Sequence, residues 1–155
     1  SICFPGARVS LHSHFSLAPG ARLLAWETLC LGRPVMGEGF SHGALDSRLQ
    51  LDLPGDPGLH ERLRIEGGHL DKLAGHPLLA TFCAAPANEQ LLEQVRELIH
   101  PLPVPAGATL LGQLLVVRLL DHDNQRLQST LQRLWRALRP TVVGLPPCPP
   151  RIWAT

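Results

Sequence analysis

The clearest pattern in the chain is an alternation. Across residues 45–53, Leu45, Leu49, Leu51 and Leu53 take turns with Asp46, Arg48, Gln50 and Asp52, the period of a strand with one face buried. The turn cluster Pro54-Gly55-Asp56-Pro57-Gly58 follows, and residues 59–65 form a second strand, so the two segments predict a hairpin. Upstream, residues 15–17 run as a strand into the turn Ala18-Pro19-Gly20. Residues 23–31 form an apolar run closed by Gly32-Arg33-Pro34. That run is short and bounded by Gly and Pro, which favours a strand buried on both faces over a helix.

The period changes in the second half. Asn88 stands where a helix cap belongs, Leu91, Leu92, Val95, Leu98 and Ile99 follow at helical spacing, and Pro101 lies just past the end,. Residues 110–120 are almost wholly apolar and predict one buried strand. Asp121-His122-Asp123-Asn124 then opens a second helix. Its stripe is Leu127, Leu131, Leu134, Trp135 and Leu138, and Pro140 is expected to stop it,. The proline-rich residues 146–150 predict an extended tail, on the surface or across the core. The fold class is therefore α+β and mainly β: antiparallel strands and hairpins in the N-terminal part, and two amphipathic helices flanking a buried strand in the C-terminal part.

Composition narrows the functions open to such a fold. A chain of 155 residues with 45% hydrophobic and 17% charged residues is globular, and a net charge of +1 gives no electrostatic footprint for nucleic acid,. No apolar run approaches the roughly 20 residues that span a bilayer. The four cysteines, Cys3, Cys30, Cys83 and Cys148, stand far apart without a C-x-x-C pair. They predict reduced, mostly buried thiols rather than a disulfide framework or a zinc site.

Strand alternation singles out two carboxylates. Glu27 shares its face with Leu23, Ala25, Leu29 and Leu31; Glu61 shares its face with Leu59, Leu63 and Ile65. Both point where apolar side chains point, which implies either a wet polar passage or ion pairs with an arginine such as Arg33, Arg48 or Arg118. Glu38, Ser41 and His42, in GEGFSHG, could hold an ion or touch a partner, or simply form a tight turn whose polar groups bond the backbone. His12 and His14 share a strand face at metal-pair spacing, although exposed histidines on a polar face explain them as well. Asp121-His122-Asp123 is ligand-rich, but capping of the following helix accounts for it. Arg126, Arg133, Arg136 and Arg139 lie off the second helix's apolar stripe, either as a solvated face or as a docking face for an acidic partner. There is no G-x-G-x-x-G and no P-loop. Ser41 and His42 are adjacent, so their side chains diverge on a strand and make a poor nucleophile–base pair.

Four stretches together carry a family resemblance. CFPGAR at the start, LLAWETLCLGRPVMGEGFSHG from Leu23 to Gly43, HERLR from His60 to Arg64 and PRIWAT at the end resemble the UreD (UreH) family of urease accessory proteins, in the family's order. The resemblance implies a non-catalytic scaffold that loads nickel into apo-urease. It further implies a UreF-type accessory protein, a UreG-type GTPase and the urease apoprotein as partners, with no membrane or nucleic acid involved and a cytoplasmic location. Nickel would pass transiently along a water-filled tunnel, with no tightly bound cofactor. The family's acidic tunnel residues fall on LLAWE and HERL, hence on Glu27 and Glu61. Family members carry a further N-terminal half, so the chain reads as one domain, residues 1–155, from the C-terminal portion of a larger β-rich protein. The alternatives are an interaction module without a metal role and, more remotely, a metal-dependent hydrolase.

Overall fold

Three layers absorb the apolar positions. The computed structural model describes residues 1–154. The strands in chain order are β1 (Ile2–Cys3), β2 (Arg8–Ser16), β3 (Leu23–Arg33), β4 (Glu38–Gly39), β5 (Ala44–Asp52), β6 (Leu59–Glu66), β7 (Leu78–Ala85), β8 (Ala106–Leu111) and β9 (Leu114–Asp121). The helices are α1 (Glu89–Ile99) and α2 (Asn124–Val143), and short 3-10 turns cover Pro34–Met36, Asp71–Leu73 and Arg151–Ala154. One sheet has the order β1-β3-β7-β9-β8, with β4 paired to β3; the other has the order β2-β5-β6. The class is the expected α+β, mainly β.

The central sheet is covered on both faces. Toward the helices, Phe82, Ala84, Val117 and Leu119 pack with Leu92, Val95, Leu131, Leu134 and Leu138 in one continuous core. Toward the outer sheet, the interior falls into two separate apolar clusters. Leu31, Phe40, Leu45, Ile65 and Leu73 belong to the first, and Leu51, Leu59, Cys83, Leu114 and Val116 to the second.

The hairpin of β5 and β6 forms as its alternation predicts, with Leu45 opposite Ile65 and Leu51 opposite Leu59. Three features depart from the sequence reading. The first is that β2 pairs with β5 in parallel, in unbroken register from Arg8–Ala44 to Ser16–Asp52. The chain leaves the outer sheet after β2, runs back along the central sheet as β3, and returns as β5. Two reversals restore the original direction, an arrangement that local periodicity does not encode.

The second is that residues 110–120 are not one strand. They form the end of β8, a tight turn and most of β9, with Leu111 opposite Leu114. Gly112 makes the turn with φ +58°, in the left-handed region where a side chain is costly,. A Cβ there would also lie 1.6 Å from Asp56 Oδ1. The third is that Pro140 lies inside α2 instead of ending it. Proline costs a helix interior about 3 kcal/mol. Burial of Val142, with Val143 packed beside it, offsets this at about 1.5–3 kcal/mol for a fully buried side chain. Gly144 then closes the helix, donating to the Pro140 carbonyl at 3.0 Å.

Both helix starts are capped as the sequence suggests. The Asn88 side chain accepts from Leu91 N–H at 2.9 Å, and Asp123 accepts from Gln125 and Arg126 N–H at 2.8 and 3.1 Å, satisfying donors that have no partner within the helix. Residues 145–150 are exposed and lack regular structure. Trp153 beyond them packs edge-on to Trp135 at 5.0 Å and against Trp26 at 5.8 Å, so the tail is pinned back onto the helix-side core. All four cysteines are free; Cys3 and Cys83 are buried, Cys30 is partly buried and Cys148 is exposed.

Candidate functional site

Strand register places the two glutamates in facing rows. In the central sheet Glu27 lies opposite Thr81, and Thr81 opposite Arg118. In the outer sheet Ser13 lies opposite Leu49, and Leu49 opposite Glu61. Directly opposed residues share a face, so each row points into the space between the sheets. There the rows meet. Ser13 donates its hydroxyl hydrogen to Glu27, and Arg118 donates to Glu61 in an ion pair. The polar contact thus runs along the boundary between the two apolar clusters.

A cavity of about 270 Å3 opens on this boundary, lined by Glu27, Ser47, Glu61, Arg62, Lys72, Thr81 and Arg118 among leucines. It is large enough to hold several water molecules. Glu27 also lines a second hollow of about 340 Å3, together with Ser1, His12, Ser13 and Thr28. One carboxylate therefore faces two cavities. Arg118 and Glu61 keep 39% and 36% of their side-chain surface exposed, so this is a hydrated pair and not one sealed in a dry core.

The wall beside the carboxylates carries a thiol. Cys83 adjoins Glu27, Leu49 and Thr81, and its pKa is pushed up to about 12, first by burial and then by the negative charge of Glu61 and Glu27 against the opposing Arg118. It stays a neutral thiol at physiological pH. Oxygen groups, not a thiolate, are what this space offers a cation. Among the described residues, no three His, Cys, Asp or Glu side chains gather as a metal-holding set.

The other candidates are dispersed. Glu38 forms a fork with Arg33, its oxygens 2.5 and 2.7 Å from the guanidinium nitrogens, at the point where β4 joins β3. Ser41 and His42 are exposed and lie in a loop, not on a strand, so their side chains do not diverge as expected but are bonded to each other at 3.1 Å. Their loop is fixed by its backbone: Gly6 donates to the His42 carbonyl at 2.8 Å and Gly68 to the Phe40 carbonyl at 2.7 Å. Gly67 packs so closely that a Cβ would lie 2.2 Å from His42 Cα. His12 and His14 sit on the exposed face of β2, with His14 Nε2 2.6 Å from Asp52.

The four arginines of α2 do not form one free face. Arg126 binds Asp121, whose side chain is 2% exposed. Burial works against the Asp121 carboxylate. The Arg126 bonds and the backbone N–H groups of Asp123 and His122 outweigh it and hold its pKa below the usual range,. Arg139 stacks over Trp135 at 4.8 Å and bonds the Pro146 carbonyl. Arg133 and Arg136 are exposed.

Sequence reasoning named Arg118 only as one of three arginines that could neutralise a glutamate, and did not single out Ser13 or Thr81. Arg118 had a visible signal: it is the single charge in the run Leu114 to Leu120.

The fold is a helix-backed β-sandwich whose interior is crossed by a hydrated row of acidic, basic and hydroxyl side chains. Comparison with known sequences gives it a family: the chain belongs to the UreD urease accessory protein family, whose model matches residues 1–154. It is 75% identical over its whole length to the urease accessory protein UreD of Pseudomonas putida (strain W619), covering 56% of that protein. It is also 50% identical to that of Citrobacter koseri, covering 54%, and 45% identical to that of Klebsiella aerogenes, covering 57%. The chain thus spans a little over half the length of the curated relatives it matches. No described helix is long and apolar enough to cross a membrane.

Proposed function

We propose that this chain is part of a urease maturation scaffold and that the row between its sheets lines part of a passage for nickel. The observation that carries the reading is the convergence of Glu27 and Glu61, from different sheets, on one cavity large enough for water,. A conduit needs ligands that hold a divalent ion briefly and exchange quickly. Partly solvated carboxylates with hydroxyl neighbours meet that need, whereas a closed thiolate site would retain the ion. The protonated Cys83 thiol in the wall fits the same requirement. Nickel is cargo here, not a resident cofactor, and the chain performs no catalysis of its own.

In the complete protein the scaffold bridges the urease apoprotein and a UreF-type accessory protein in the cytoplasm. A UreG-type GTPase releases nickel after hydrolysis, and Glu27 and Glu61 relay it. A plain interaction module is the second reading, favoured by the exposed Arg133 and Arg136 on α2. The test is Glu27→Ala and Glu61→Ala in the full-length accessory protein, read by nickel-dependent urease activity and by pull-down of the partner complex. Activation should fall about tenfold while assembly persists, since tenfold corresponds to the loss of one charge-assisted contact. Full activation in both variants favours the interaction module. Loss of assembly makes the glutamates structural.

A further inference from the structure

Arg118 occupies an unexpected place for a cation passage. It is the single positive charge in the facing rows, and its guanidinium is bonded to Glu61. While that pair stands a divalent ion meets a Glu61 carboxylate with one oxygen, Oε1, already engaged and its charge offset by a guanidinium that repels the ion.

The pair is not locked. Both side chains are more than a third exposed, and ion pairs at such exposure hold weakly. There is also somewhere for the guanidinium to go. The residue opposite Arg118 on β8 is Gly107, on the same face of the sheet. A Cβ built at Gly107 would meet nothing within 4 Å, and β8 is the sheet's edge strand. The sheet face beside Arg118 is therefore open over Gly107, on the side of the rim.

We propose that Arg118 gates the passage. Paired with Glu61 it closes the row to cations; swung over Gly107 it frees Glu61 to take the ion, and its return displaces the ion onward. The device keeps the carboxylate from loading with stray divalent ions before the metal is supplied. This inference rests on the passage reading above.

The test uses the full-length accessory protein in complex with its partners, and nickel sulfate as the probe. Arg118→Met should bind Ni2+ about tenfold more tightly by calorimetry, release it more slowly and lower urease activation, while Arg118→Lys should stay near wild type. Gly107→Val should fill the swing space on a strand position that tolerates it, lowering activation severalfold with no gain in Ni2+ affinity and an unchanged circular dichroism spectrum. Wild-type Ni2+ affinity in Arg118→Met, or full activation in Gly107→Val, would overturn the gate; if Arg118→Met fails to fold, Gly107→Val decides alone. Glu27→Gln and Glu61→Gln separate the two ideas. If they deliver nickel normally, the passage itself fails and the gate with it. If they are impaired while the Arg118 and Gly107 variants behave as wild type, only the gate fails.

Discussion

The two faces of the central sheet differ at the same level of the same strands. Toward the helices, Trp26, Phe82 and Val117 stand in register, and Trp26 stacks on Phe82 at 5.8 Å. One residue along each strand, Glu27, Thr81 and Arg118 stand in register toward the outer sheet. The first row belongs to a continuous apolar core; the second lies between two smaller clusters. Burying polar groups costs free energy that an apolar row would not. The fold can bear this because the larger, continuous apolar core lies on the helix-side face. Stability and chemistry are thereby assigned to opposite sides of one sheet.

Phe82→Ala should show the largest effect. Phe82 is fully buried, and such a truncation costs about 3–5 kcal/mol, a large share of a domain's usual 5–15 kcal/mol. Urea denaturation would read it, and a cost below about 1 kcal/mol would break the comparison.

Asp121→Asn should come next, at roughly 1–3 kcal/mol, discounted because Arg126 keeps 37% exposure,. The sign with pH follows from its lowered pKa. As pH falls, the unfolded chain takes up this proton first. The stabilisation is therefore complete above the unfolded value of about 3.9 and disappears below it, as pH drops through the folded value. Thermal melts across that acid range should fall less steeply in Asp121→Asn than in wild type.

Thr81→Val should have the smallest effect on stability, within about 1 kcal/mol, because it removes one hydroxyl from the polar row. Urease activation by the full-length protein should nevertheless drop. A Thr81→Val protein as unstable as Phe82→Ala would show that the row is structural.

Local pattern made both helices, the β5–β6 hairpin and the inward direction of Glu27 and Glu61 legible, because each depends on periodicity and on caps such as Asn88 and Asp123. What stayed hidden depends on contacts between distant segments. No feature of 8–16 states that it pairs in parallel with 44–52, so the Ser13–Glu27 contact could not be read. Which of three arginines meets Glu61 is decided by the register of β9 on β7, a pairing between distant segments, and β9 itself begins at a turn at Gly112 embedded in an apolar run. Arg126 looked free because Asp121 was read as part of a cap; the structure shows Asp121 buried and clamped by that arginine. Pro140 misled because the stop signal is local, while the burial of Val142 that carries the helix past it is tertiary.

The pinned C-terminal turn has a consequence for optical measurements. The chain contains three tryptophans and no tyrosine, and Trp26, Trp135 and Trp153 form one chain of ring contacts on the helix side. Intrinsic fluorescence therefore reports from a single interface. It will follow helix docking and release of the tail, while the outer sheet can loosen almost unseen.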